Sequence, residues 1–198
     1  VLHSVQSLVG LIDSLDVKGF RLRNRIVLPP MQTGRATFEG AVTNKLINFY
    51  LLRSKAVGLP IVEHAYVSGL GKIGPKQLGI YDDSLIGGLS KLAEAIHSVG
   101  APAVIQISHA GAVANKKVIG DLPVGPSKTG KARMLEKSEL YKIAEDFALA
   151  AERAVKAGFD GVELHGAHGY LLNQFFSPLL NKREDEYGGP LSNRMRFQ

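Results

Sequence analysis

The chain has 198 residues, of which 45% are hydrophobic, enough for a well-buried core in a single domain. It has no cysteine, which excludes disulfides, cysteine-ligated iron–sulfur clusters and thiol catalysis within it. Its net charge of +6, from 24 Lys and Arg against 18 Asp and Glu, is spread along the sequence without interleaved aromatics, so no nucleic-acid partner is expected.

The start, VLHSVQSLVGLIDSL, is mildly apolar, but it lacks a basic leader and carries Asp13, so no signal peptide is expected. No apolar run approaches the roughly 20 residues that cross a bilayer, and a cytoplasmic location is the default. Strand candidates follow at Arg25–Leu28, Leu59–Val67, Ala103–Ser108 and Gly161–Leu164. Each is short and rich in Ile, Val or Leu, as parallel strands covered on both faces are. Helices are expected between them: from a Thr43 cap to about Ala56, ended by Gly58; from Asp82 or Asp83 through Val99, ended by Gly100; and from Ser138 and Glu139 through Ala157, ended by Gly158. In the third, Leu140, Ile143, Ala144, Phe147 and Ala151 form the face expected to be core. The basic stretch Lys116, Lys117, Lys128, Lys131, Arg133 and Lys137 reads as a solvated loop, with steering of an anionic ligand as the functional alternative.

The connections are unequal. Each helix returns to the next strand through a tight turn, whereas the strand-to-helix connections Pro29–Val42, Ser68–Tyr81, His109–Lys137 and Gly166 to about Leu191 are long. Long connections inside compact domains are usually functional, and in (β/α) barrels active sites sit where strands end and such loops begin. The pattern predicts an α/β fold of the TIM (β/α)8-barrel type with only about the first four βα units present. A doubly wound sheet is the alternative, but no glycine-rich phosphate loop follows the first strand.

Polar residues gather at these strand ends. Pro29-Pro30-Met31-Gln32-Thr33 follows the first strand, where Gln32 and Thr33 can hydrogen-bond a planar heterocycle. Glu63 and His64 lie late in the second strand, and Tyr66 beside them reads as packing. Gln106 and Ser108 share one side of the third strand, and His109 opens the loop behind it. The fourth ends in His165, His168 and Tyr170, separated by little but glycine and alanine, so that a ligand can approach two imidazoles and a phenol. The HxxH spacing also suits metal ligands, and a TIM-barrel metal-dependent hydrolase using Glu63, His64, His165 and His168 is one alternative reading. A non-catalytic half-barrel oligomerisation module is another. The charges at Lys182, Arg183, Glu184, Asp185, Glu186 and Arg194 are expected to order a long loop through ion pairs, and Ser192 to cap the last helix.

The run HGAHGYLLNQFFSPLLNKREDEYGGPLSNRMRF resembles the signature of the Old Yellow Enzyme family of FMN-dependent NAD(P)H:flavin oxidoreductases. The likeness extends from about Leu11 onward, over the first half of the family's flavin domain. It implies that residues 1–198 are the N-terminal half of an FMN-binding TIM barrel, with NADH or NADPH as reductant and an enone-type substrate. It places Pro30, Met31, Gln32, Thr33, His64, Gln106 and His165 against the cofactor, and Gln32 or Thr33 where the flavin's redox potential is tuned. It gives His165 and His168 the substrate's carbonyl oxygen and makes Tyr170 the proton donor. Two departures stand out: glutamine at 32, where relatives carry cysteine or threonine, and histidine at 64, where a small residue is usual. Four βα units leave two unpaired strand edges, so homo-oligomerisation or completion by a C-terminal half is expected; the resemblance implies that such a half supplies the FMN phosphate site and the flavin N1 partner. No resident metal is expected.

Overall fold

The structure is a computed structural model that describes residues 10–17 and 19–198. Residues 1–9, which hold most of the N-terminal segment read above, lie outside the described residues. The elements in chain order are β1 (Leu15–Val17), β2 (Phe20–Leu22), β3 (Val27–Leu28), α1 (Asn44–Ser54), β4 (Leu59–Tyr66), α2 (Ile86–His97), β5 (Val104–Ser108), α3 (Lys116–Ile119), β6 (Val124–Gly125), β7 (Arg133–Met134), α4 (Lys137–Lys156), β8 (Gly161–Leu164), α5 (Leu171–Phe176) and α6 (Leu191–Arg194).

The main sheet is four-stranded and parallel, in the order β3-β4-β5-β8. Neighbours in the sheet are thus successive strands of the expected βα series. The long helices α1, α2 and α4 return the chain between them and cover one face. Leu46 and Tyr50 of α1, Leu89, Leu92 and Ile96 of α2, and Ala150 and Ala154 of α4 pack with Val62, Ala65, Ile105 and Ile107 of the strands. Each fully buried Leu or Ile in such a layer contributes about 1.5–3 kcal/mol.

The helix boundaries follow local chemistry. Thr43 caps α1, its Oγ1 accepting the Leu46 N–H at 3.2 Å. Asp82 caps a single 3-10 turn, Asp83–Leu85, that runs into α2. At α4 the expected Ser138 start is corrected. Glu136 is the cap, and the Glu139 carboxylate reaches back to the Glu136 N–H at 2.8 Å in a reciprocal capping box. The buried line of α4 is Leu140, Ile143, Ala150 and Ala154, with Phe147 half-buried; Ala144 is exposed and Ala151 only half-buried. The stripe follows helical steps of three and four, which place Ala144 one residue off its centre. Gly58 ends the first return turn because a Cβ there would stand 2.0 Å from the Asn24 carbonyl oxygen. The second and third turns use Gly100 and Gly158 at φ +72° and +85°, the left-handed conformation that closes helices.

The structure departs from the sequence reading in five further places. Strand pairing in the first unit spans only Val27–Leu28, because Arg25 and Ile26 lie in the turn held by Asn24. A β1–β2 hairpin precedes it, and a short parallel pair, β6–β7, sits within the loop after β5. The 166–191 connection contains α5, too short to show a periodicity, and leads into α6, the expected last helix. Ser192 does not cap α6, whose N-cap is Pro190.

Within the main sheet, the outer strands β3 and β8 have one neighbour each. Their outward residues are apolar and open to solvent: Val27 is 46% exposed, Val162 39% and Leu164 52%. They form the two open edges of a partial barrel.

Candidate active site

Beyond the C-terminal ends of the four parallel strands lies a cavity of about 560 Å³, lined by residues from every one of the four units. The first unit gives Pro29, Pro30, Met31 and Gln32, β4 gives His64, β5 gives Gln106, and β8 and its loop give Glu163, His165, Ala167, His168 and Tyr170. The structure brings His165, His168 and Tyr170 together at this cavity. The ring centres of His165 and Tyr170 are 4.4 Å apart, and those of His165 and His168 5.2 Å.

The local backbone explains that convergence. His165 continues the β5–β8 ladder by donating its N–H to the Ile107 carbonyl at 3.0 Å. The chain then turns sharply, and His168 adopts φ +55°, the only non-glycine residue with positive φ among those described. A left-handed non-glycine residue is strained and tends to mark functional sites. Asn173 holds the turn by accepting the Gly169 N–H at 2.9 Å. Gln174, fully buried, accepts the Ala112 N–H at 3.0 Å and donates to the carbonyls of Ala110 and Gly169, tying the loops after β5 and β8 together.

The electrostatics are those of neutral donors. Burial lowers the His165 pKa, as does the neighbouring His168, so its imidazole stays uncharged at neutral pH. Burial raises the Tyr170 pKa, so its phenol stays protonated well into the alkaline range. The one carboxylate in the cavity, Glu163, accepts a hydrogen bond from Gln106 Nε2 at 2.5 Å across the β5–β8 pair. Glu163 was not foreseen from sequence; the signal for it is a lone charge in the otherwise apolar strand Gly161–Leu164.

Three expectations change. Thr33 does not line the cavity; its backbone N–H is held by Glu63 Oε2 at 3.0 Å. His64, expected against the cofactor, lines the cavity, but beside the imidazole at the end of β8, 5.6 Å from the His165 ring centre. Glu63 points to the opposite side of β4, buried beside Tyr50, and burial raises its pKa. The set Glu63, His64, His165 and His168 therefore does not converge. Among the described residues no cluster of three or more His, Cys, Asp or Glu is arranged to hold a metal ion.

The remaining residues fall outside the cavity. Tyr66 packs, stacked on Tyr81 at 5.0 Å. Buried His109 lines a second cavity of about 600 Å³; its Nδ1 accepts the Gly111 N–H at 3.0 Å. Of the basic loop, Arg133 pairs with Glu139 and Lys137 with Glu186, both at 2.6 Å. Arg183 is buried, pairing with Asp185 at 2.6 Å and donating to the carbonyls of Pro126 and Leu135, so this part of the charge run does order its loop.

A parallel sheet with crossover helices and a polar cluster beyond its strand ends defines the chain as part of a TIM-barrel enzyme fold, bearing its site at the usual end. The model of the NADH:flavin oxidoreductase / NADH oxidase family matches residues 11–198, and the chain belongs to that family. It is 44% identical over 187 residues to an NADH:acrylate oxidoreductase of Vibrio harveyi, covering 90% of this chain and 19% of that protein. It is 43% identical over 191 residues to an NADPH dehydrogenase of Halalkalibacterium halodurans, covering 94% of this chain and 56% of that one. The solved Old Yellow Enzyme homologue from Zymomonas mobilis superposes with a TM-score of 0.90 at 34% identity, over 94% of this chain and 57% of its own. The chain thus spans between about a fifth and just over half of the length of these relatives.

Proposed function

We propose that this chain carries the substrate-binding and proton-donating face of an NAD(P)H-dependent flavin oxidoreductase that reduces activated C=C bonds of α,β-unsaturated carbonyl compounds. The observation that carries the reading is the convergence of His165, His168 and Tyr170 in one cavity with Gln32 and Gln106.

The residues present fit an FMN ring. The cavity is large enough for a planar heterocycle. Gln106 gives one N–H to Glu163 and keeps its other N–H and its carbonyl oxygen for a ring edge that mixes donors and acceptors. Pro30, Met31 and Gln32 would flank the ring, and Glu63 fixes that segment by holding the Thr33 N–H. When bound, FMN supplies the hydride chemistry, with NADH or NADPH as the source of reducing equivalents. His165 and His168 donate to the substrate's carbonyl oxygen and stabilise the negative charge that grows there. Tyr170, kept protonated by burial, delivers a proton to the α-carbon. The FMN phosphate site belongs to further βα units, and we infer that these, or a second copy of the chain, cover the open edges at β3 and β8.

The test is to purify the full-length protein and record its visible spectrum with sedimentation. Flavin absorbance that bleaches with NADH or NADPH under anaerobic conditions and returns on adding 2-cyclohexenone is the expected result. A colourless protein that neither binds added FMN nor consumes NAD(P)H refutes the reading.

A further inference from the structure

His64 is the third imidazole of the cavity, and its surroundings determine which nitrogen carries the proton. The β4–β5 ladder pairs Val62 with Ile105 and resumes at Ala65 with Ile107, so β4 accommodates one extra residue at Glu63–His64. Such bulges re-aim side chains and recur beside active sites. Here Glu63 faces Thr33 and Tyr50, while His64 faces the cavity, its ring centre 5.4 Å from that of Tyr170.

Behind His64 lies Gln77, fully buried. Its Oε1 accepts the Ile73 N–H at 2.8 Å, which settles the orientation of the amide. Its Nε2 therefore faces His64, 3.0 Å from Nδ1 and 3.3 Å from the His64 carbonyl oxygen. An amide nitrogen can only donate, so Nδ1 must present its lone pair and the ring proton must reside on Nε2. Ser108 Oγ, 3.4 Å from Nδ1, is the other polar group behind the ring. Among the described residues no protein group bonds to Nε2, which is left for whatever occupies the cavity. The titratable groups on the cavity side are His165, His168, Tyr170 and the Gln106-bound Glu163; no Lys or Arg lines it. Burial, reinforced by His165 and His168, pushes the His64 pKa down to about 4, so the ring is neutral at ordinary pH.

We propose that Gln77 fixes His64 as a neutral Nε2–H donor, which joins His165 and His168 in binding the carbonyl or phenolate oxygen of a ligand in this cavity. His64 is then a ligand-binding residue and Gln77 a positioning residue acting through it. The proposal rests on the reading above that the cavity takes an oxygen acceptor. A site with three imidazoles and no Lys or Arg favours ligands with an exposed, electron-rich oxygen and discriminates against ring analogues that lack one.

The test uses the full-length protein with 15N-labelled histidine. Long-range 1H–15N spectra should show His64, assigned by its loss in His64→Ala, as the Nε2–H tautomer, with no titration above about pH 5. Gln77→Glu replaces a donor by an acceptor and should move the proton to Nδ1 and raise the His64 titration to about pH 7 or higher. Gln77→Leu, should the buried glutamate prevent folding, should give a mixture of tautomers. Calorimetry with 4-hydroxybenzaldehyde should show about tenfold weaker binding in His64→Ala. In a cycle with His165→Ala the two losses should be non-additive, as for groups sharing one acceptor. An Nδ1–H tautomer in the wild type, or unchanged affinity in His64→Ala, overturns the proposal. Flavin-free protein still reports the tautomer, so failure of the flavin reading is distinguishable from failure of this one.

Discussion

Tyr170→Phe separates proton donation from every other contribution of this side chain. The Tyr170 ring packs in a small cluster with Ala110 and Ala114 and lies against the rings of His165 and His64. Phenylalanine keeps all of that contact. Burial alone acts on the phenol, with no hydrogen-bonded neighbour among the described residues, so its removal orphans no buried group and should change stability by less than about 0.5 kcal/mol. What disappears is one O–H held protonated by burial. Loss of a general acid slows the step it serves by about 10²- to 10⁴-fold, equivalent to about 2.7–5.5 kcal/mol on the barrier. Nicotinamide-dependent flavin reduction needs no proton from this face. Anaerobic stopped-flow absorbance can follow the two half-reactions separately. The expected outcome is bleaching by NAD(P)H at a near-normal rate and reoxidation by 2-cyclohexenone slowed within that range. Equal slowing of both phases would refute the assignment and show that Tyr170 orients the bound molecules without donating a proton.

Replacing both His165 and His168 with alanine should weaken binding of a phenolic ligand by about 2–4 kcal/mol, read by titration of the flavin spectrum; unchanged affinity would sink their role as oxygen donors. Arg183→Met should destabilise the protein by about 3–5 kcal/mol in urea unfolding, because it leaves the Pro126 and Leu135 carbonyls and the Asp185 carboxylate without their buried partner. A loss below about 1 kcal/mol would place Arg183 among ordinary surface ion pairs. Acid should destabilise the fold through His64 and His109, whose pKa values fall from 6.5 to about 4 on burial. The unfolded chain then binds more protons between those values, so their contribution is complete above about pH 6.5 and is lost as the pH falls towards 4. His109→Gln should flatten the pH dependence of unfolding in that window, and an unchanged slope would contradict the assignment.

The parts of the site legible in the sequence are those positioned by a local rule. A short apolar strand, Gly161–Leu164, followed at once by His165, His168 and Tyr170, declares both the strand and what stands at its end. The same rule placed Gln106 and the Pro29–Gln32 turn, and the unequal loop lengths indicated which end of the sheet carries the site. Thr33 failed because the turn aims its N–H at Glu63, a partner thirty residues on, so that it anchors the segment and does not face the cavity. Glu163 and Gln106 find each other only through the β5–β8 register, and Gln174 bonds loops more than sixty residues before it.

His64 shows most clearly what remains hidden. The alternation of a regular strand does not reveal that an extra residue is inserted at Glu63–His64, because a bulge is a property of the pairing between β4 and β5. Nor does a histidine in a sequence disclose its tautomer, which here depends on an amide thirteen residues away and on a backbone N–H that orients that amide in turn. The groups expected to contact the ligand could therefore be named from the sequence largely without the fold. The groups that set their direction and protonation could not, since each acts through a contact that exists only once the strands are paired. Residues re-aimed by a pairing irregularity at a strand end, such as His64, are accordingly the positions where a structure adds most to a resemblance.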